Sequence, residues 1–230
     1  MKDNHILINV VQVATVAVSN HILGNPTSPG FPAIPFEFLW TALEARDPLV
    51  CNSVQHILIE NIPSHRPDSF LHQLISRCPN ITDVHSFYLK DIQEDLASLV
   101  NLRHLSIEAL ERHSQFDSGL APRIFPNLTH LEFFDIQDRE PQPALAPQFF
   151  HLRQLTHIAF SSTTFAEVLY PRYANLPQLR CIVVFALGSR SIDETPIRRL
   201  AMDDRFVYIR DINCVPDWFS CARGGGGFWA

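Results

Sequence analysis

The chain has 230 residues, 46% of them hydrophobic, enough for one large buried core or two small ones. Its 24 acidic against 18 basic side chains give a formal charge of -6, and that balance, with no basic run, argues against a dedicated nucleic-acid binder. Five scattered cysteines, Cys51, Cys78, Cys181, Cys214 and Cys221, form no Cys-x-x-Cys pair, so neither a zinc ribbon nor a redox dithiol is indicated. Reduced thiols in an intracellular chain, cytoplasmic or nuclear, are expected.

In chain order, the apolar run Ile6 to Val18 is interrupted by Asn9 and Gln12 and is too short to span a membrane. It also lacks the basic flank and small-residue cleavage site of a signal peptide, and it predicts a buried strand or helix. A loop rich in proline and glycine, Gly24 to Pro35, then separates this run from a predicted helix around Phe36 to Ala45. Residues 1–53 thus read as an irregular N-terminal cap or first degenerate repeats.

From Val54 onward an apolar-x-x-apolar-x-apolar frame recurs: Val54-Ile57-Ile59, Ile81-Val84-Ser86, Leu102-Leu105-Ile107, Leu128-Leu131-Phe133, Leu155-Ile158-Phe160 and Leu179-Ile182-Val184. Only Ser86 breaks the pattern. Taking the second apolar position as anchor, the spacings from Ile57 through Val84, Leu105, Leu131 and Ile158 to Ile182 are 27, 21, 26, 27 and 24 residues. They fall in the range of roughly 20 to 29 typical of leucine-rich repeats. A closing strand, Phe206 to Ile209, puts Val207 25 residues beyond Ile182.

A short strand alternates sides, so the anchor and the residue two later enter one core, and each repeat needs neighbours to bury that face. Between the frames lie helical patterns: Phe70, Leu71, Leu74 and Ile75 after Pro67-Asp68; Asp91 to Leu99; Phe165, Val168, Leu169 and Tyr173; and Glu194 to Met202. The proline-rich stretch Asp138 to Pro147 predicts a bulge from the convex side. The predicted fold is α/β, a leucine-rich-repeat-like solenoid over 54–210 with a parallel sheet on its concave face and helices on its convex face, followed by a tail, 211–230.

Asparagines before several frames, as in Cys78-Pro79-Asn80, Val100-Asn101, Pro126-Asn127 and Asn175-Leu176-Pro177, read as turn punctuation. Asn80-Ile81-Thr82 and Asn127-Leu128-Thr129 match the glycosylation acceptor, which an intracellular chain would not use.

No nucleophile elbow, phosphate loop, zinc-protease helix or dinucleotide fingerprint occurs, and Gly224 to Gly227 lacks the strand-to-helix setting of a phosphate loop. No enzyme activity, cofactor or metal is therefore expected. The constellation that stands out is histidine. Of eleven histidines, His56, His104, His130 and His157 each immediately precede an anchor, so stacked repeats should align them in one outward column about 4.8 Å apart, continued by Asp83 and Cys181. A polar surface ladder is the favoured reading, and a partner-binding surface is compatible with it. A metal site is disfavoured because a ladder offers its nitrogens in a line. Two residues on comes a second column, Leu58, His85, Ser106, Glu132, Ala159 and Val183, and then a third, Glu60, Phe87, Glu108, Phe134, Ser161 and Phe185. Whether the phenylalanines are exposed or buried stays open. The candidate partner-binding residues are His85, His104, His130, Glu132, Phe134 and His157. Mutual repulsion of protonated imidazoles predicts weaker stability or altered binding below about pH 6.

The stretches Val100-Asn101-Leu102-Arg103-His104-Leu105 and Phe125-Pro126-Asn127-Leu128-Thr129-His130-Leu131, with the end pattern Asp203-Asp204-Arg205-Phe206-Val207, Asp217-Trp218 and Gly224 to Gly227 before Phe228-Trp229-Ala230, carry a family likeness. Over roughly residues 50 to 230 the chain resembles the F-box and leucine-rich-repeat-like proteins of mushroom-forming fungi. That resemblance implies a monomeric scaffold that recognises a protein partner on its concave face for ubiquitination, with no nucleic-acid or membrane partner. Residues 1–53 show no recognisable F-box, so the ligase adaptor is expected as a partner only if an F-box lies upstream. The alternatives are a non-functional or truncated remnant, or a small-ligand binder or enzyme without a recognisable motif.

Overall fold

The computed structural model describes residues 14–18, 36–59, 69–86, 93–96, 98–108, 125–134, 152–187 and 194–212. The predicted loops Gly24 to Pro35 and Asp138 to Pro147 and the glycine run lie outside them. In chain order the elements are β1 (Ala14–Val18), α1 (Phe36–Glu44), α2 (Pro48–Ser53), β2 (Val54–Ile59), α3 (Ser69–Arg77), β3 (Asp83–Ser86), α4 (Gln93–Leu96), β4 (His104–Glu108), β5 (His130–Phe134), β6 (His157–Phe160), α5 (Thr163–Tyr173), β7 (Cys181–Leu187), α6 (Glu194–Leu200) and β8 (Phe206–Ile212).

The eight strands form one sheet in sequential order, and every neighbouring pair is parallel. The chain is therefore α/β, with each strand beside the one before it. The pairing aligns Ile57, Val84, Leu105, Leu131, Ile158 and Ile182 in one row, the six anchors of the predicted frame. Each is at most 2% exposed. Spacings that vary from 21 to 27 residues thus give an unbroken register, because the differences fall in the segments between strands.

The anchors share a core with the residues two further on, Ile107, Phe133, Phe160 and Val184, and with helix residues Leu43, Leu74, Ile75, Leu96, Phe165, Leu169, Tyr173 and Leu200. The described helices therefore pack on the anchor face. Phe133, Phe160 and Phe165 meet edge-on or stacked, with ring centroids 5.5 to 5.8 Å apart.

Local chemistry sets the element ends. Arg46, at φ 53°, closes α1 in the left-handed region, with Asp47 N–H donating to the Ala42 carbonyl and Arg46 N–H to that of Leu43. Asp47 then caps α2, accepting from Leu49 N–H at 2.9 Å, with Pro48 at the first helical position. Sequence periodicity had not indicated α2. Ser162 caps α5 by accepting from Phe165 N–H at 3.3 Å.

Two details differ from the sequence reading. In α5 the buried stripe is Phe165, Ala166, Leu169 and Tyr173, whereas Val168 is 43% exposed. Ala166 takes the place assigned to Val168 because the buried stripe is centred about 40° further round the helix, between Leu169 and Tyr173. In the closing strand it is Phe206, not Val207, that lies in the anchor row opposite Ile182. A tight turn explains the shift: Asp203 Oδ1 accepts from Arg205 N–H at 3.0 Å and the Asp203 carbonyl from Phe206 N–H at 2.9 Å, starting the strand one residue early. Val207 is turned to the other side, 43% exposed.

That turn is clamped to the preceding repeat. The Arg205 guanidinium donates to both Asp203 carboxylate oxygens at 2.9 and 2.6 Å and to the Ala174 carbonyl at 3.0 Å, while Tyr170 Oη donates to Asp203 Oδ2 at 2.9 Å. The Asp203-x-Arg205-Phe206 sequence is thus a capping device built on charge-assisted bonds.

Three of the four asparagines read as turn punctuation also connect neighbouring repeats, whereas Asn175 donates to the Pro171 carbonyl of the helix it follows at 3.1 Å. Asn80, Asn101 and Asn127 donate from Nδ2 to the carbonyls of Asn52, Pro79 and Val100 at 2.9, 3.1 and 2.7 Å, and Gln178 Nε2 donates to the Leu152 carbonyl at 3.1 Å. Backbone bonds run alongside: the N–H groups of Thr82, Arg103, Thr129, Thr156 and Arg180 donate in turn to the carbonyls of Gln55, Thr82, Arg103, Thr129 and Thr156 at 2.8 to 2.9 Å. Among the described residues no helix is long and apolar enough to cross a membrane.

Candidate functional site

One residue before each anchor the strand alternation turns the side chain away from the helices. Register therefore brings His56, Asp83, His104, His130, His157 and Cys181 into one row across β2 to β7. Of the named candidates, His104, His130 and His157 lie together there.

The row has two chemically distinct ends. Asp83 sits between two imidazoles: Oδ2 receives His56 Nδ1 at 3.0 Å, and Oδ1 receives His104 Nδ1. Thr82 Oγ donates to Asp83 Oδ2 at 2.5 Å. Burial alone would raise the Asp83 pKa, but the hydrogen bonds from His104, His56 and Thr82 outweigh it and hold the carboxyl well below the usual carboxylate range. Both imidazoles donate from Nδ1, because the ionised carboxylate only accepts.

At the other end threonines replace the carboxylate. Thr129 Oγ1 is 2.8 Å from His130 Nδ1 and donates to the Arg103 carbonyl at 3.2 Å; Thr156 Oγ1 is 2.8 Å from His157 Nδ1 and donates to the Thr129 carbonyl at 3.2 Å. Each hydroxyl has one hydrogen, and it is directed to a carbonyl, so the oxygen accepts from the ring. We assign the Nδ1–H tautomer to both on this basis. Rings of His104 and His130 meet edge-on, and those of His130 and His157 stack, each pair with centroids 4.2 Å apart.

Burial, with His104 and His157 adding to it and Asp83 opposing, depresses the His130 pKa to about 3. Burial, then Arg180 and His104, also lowers that of His157. These two rings are therefore neutral at ordinary pH. Parallel rings present their nitrogens side by side, and among the described residues no group of three or more His, Cys, Asp or Glu is arranged to hold a metal.

The second row holds His85, Ser106, Glu132, Ala159 and Val183 in register. His85, Ser106 and Glu132 are 1%, 5% and 6% exposed, and Ala159 and Val183 join Phe185 in a second apolar cluster. In the third row Phe134 is buried and stacks on His85 with centroids 4.7 Å apart; Ser161 and Phe185 are buried too. The side chains of Leu58, Glu60, Phe87 and Glu108 lie outside the described residues. Of the six candidate partner-binding residues, His85, Glu132 and Phe134 are thus corrected from surface to buried positions: alternation chooses a side chain's face, whereas coverage of that face depends on distant packing.

Burial sets the chemistry of this row. It depresses the His85 pKa to about 3 and pushes that of Glu132 up to about 7, with the Ser106 hydroxyl pulling the latter down in part. Ser106 stands between a neutral imidazole and a carboxyl that titrates near neutrality. Acid–base work on an outside substrate needs access, and all three are more than nine-tenths buried.

Sequence reading placed Asp83 in the row but missed its bridging role, and it missed Thr129 and Thr156 altogether. The Thr-His dipeptide at 129–130, repeated at 156–157, was the available signal. Fold and row together define an α/β protein of serially stacked parallel strands carrying a hydrogen-bonded polar row on the face opposite its helices. In comparison with known proteins, the chain matches no family model and no curated protein.

Proposed function

We propose that the chain is a leucine-rich-repeat-like solenoid that acts as a protein-interaction module, the substrate-recognising part of an F-box type ubiquitin-ligase receptor. Its support is the matched register of six repeats, which sets one side chain per repeat in a row along an extended surface, the arrangement solenoids use to read partners. Within that row the working positions are His104, with a side chain 42% exposed, and the half-buried His130 and His157. Glu132, His85 and Phe134 act from beneath, as packing. The partner is a protein, the working unit a monomer inside the cell, and the ligase adaptor joins only through an F-box upstream.

The test is affinity capture with the full chain and with a His104→Glu, His130→Glu variant whose circular dichroism matches the parent. A protein that binds the parent at low micromolar concentration and is lost from the variant supports the reading. Equal capture of every partner by both removes the row from recognition. Adaptor that never co-purifies with a longer transcript product removes the ligase role.

A further inference from the structure

No two cysteines share a short motif, yet the stacking of repeats brings two of them together. Cys51 and Cys78 each stand three residues before the first apolar residue of a frame, Val54 and Ile81, so they hold the same position in successive repeats. Leu99, Phe125, Leu152 and Leu176 hold it in the following four. The column belongs to the core: Cys51 and Cys78 are 7% and 0% exposed, Leu99, Phe125 and Leu152 are buried, and Leu176 packs against that core. Within it, thiols stand only at the first two positions.

Bonds between repeats flank the pair. Asn80 Nδ2 donates to the Asn52 carbonyl, and Thr82 N–H to that of Gln55, both at 2.9 Å. Strands in such register run about 4.8 Å apart, within the roughly 4.4 to 6.8 Å between Cα atoms that a disulfide spans. The two side chains already meet, the thiols sharing a hydrogen bond, and both are reduced in this structure.

We propose that Cys51 and Cys78 are a redox pair, closed by a low-molecular-weight disulfide such as oxidised glutathione into a covalent lock between the first two framed repeats. The inference is independent of any partner. Cys51, the less buried, reacts first: its sulfur, having lost its proton, displaces one glutathione thiolate and carries the other glutathione as a mixed disulfide. The Cys78 sulfur then attacks that of Cys51, and its proton leaves with the second glutathione. Two protein thiols and one oxidised glutathione thus give one protein disulfide and two glutathione thiols. Burial first, then the Cys51 neighbour, pushes the Cys78 thiol up to about 12, so it stays protonated and unreactive until a mixed disulfide is presented to it. The lock ties α2 to the turn after α3 and closes a span of 27 residues.

Unfolding the full chain and refolding it in equal parts of reduced and oxidised glutathione tests this, because every cysteine is then accessible and competes. Tryptic mapping without reduction should find peptide 47–77 joined to peptide 78–90 as the main disulfide. The oxidised chain should melt roughly 5 to 10 °C above the reduced one. A Cys51→Ser variant should lose the linked peptides and keep less than about 2 °C of that shift. Another pairing as the main product overturns the redox pair, as do separate glutathione adducts or unmodified thiols at both positions, and none of these results depends on the variant folding. A linked chain that melts no higher overturns the lock, as does a folded variant that keeps the full shift.

Discussion

On β5, Leu131 and Glu132 are adjacent in sequence, face opposite sides of the sheet, and are both buried. Leu131 lies in a row that is apolar in every repeat from Ile57 to Ile182. Glu132 lies in a row that runs from imidazole through hydroxyl and carboxyl to methyl and isopropyl groups, although it is equally dry. Serial stacking explains the contrast. On the helix side each repeat presents the same surface to the next, so one kind of side chain suits all of them. On the other side each strand meets its own surroundings, so the row is polar at His85, Ser106 and Glu132 and apolar at Ala159 and Val183.

The comparison can be broken most forcibly at the apolar row. Leu131→Ala leaves a cavity at a fully buried site and should cost roughly 2 to 5 kcal/mol of stability, measured by chemical denaturation. A loss below about 1 kcal/mol would mean that the repeats do not share the core described.

Glu132 should respond with the opposite sign. Its carboxyl pKa is raised from 4.5 to about 7 in the fold, so stability present below pH 4.5 is lost as pH rises through about 7. Glu132→Gln removes the buried charge and should stabilise the protein by roughly 2 kcal/mol at about pH 8, with the gain shrinking toward about pH 5. Melting curves across that range check the sign, and a gain independent of pH would show that the carboxyl is not titrating there.

The smallest effect belongs to the turns, where both faces begin. Asn127→Ala removes the 2.7 Å bond to the Val100 carbonyl and should cost about 1 kcal/mol. Asn127→Asp, which cannot donate, should cost as much. If the aspartate is neutral in effect, the asparagine is turn punctuation alone.

The anchors were legible because their signal is local and repeated: six frames, each with a strand-length apolar pattern, suffice to place β2 to β7 and their parallel arrangement, whereas β1 lies outside the frames. The histidine row was legible for the same reason, since a side chain one residue before an anchor has no choice of face. Asp83 was less so, because its role lies in two bonds to strands on either side. The last anchor was misplaced by one residue because the Asp203 and Arg205 turn, not the apolar pattern, starts that strand.

What the sequence by itself determined, then, is the order of strands, the core row and the membership of the histidine row, all consequences of alternation and periodicity. Only the tertiary structure decided that Glu132, His85 and Phe134 are buried, that Asp83 bridges two imidazoles, and that asparagines tie one repeat to the next. The physical reason is that facing is a property of one residue's backbone, whereas burial, pKa and hydrogen bonding belong to pairs brought together from 20 or more residues apart.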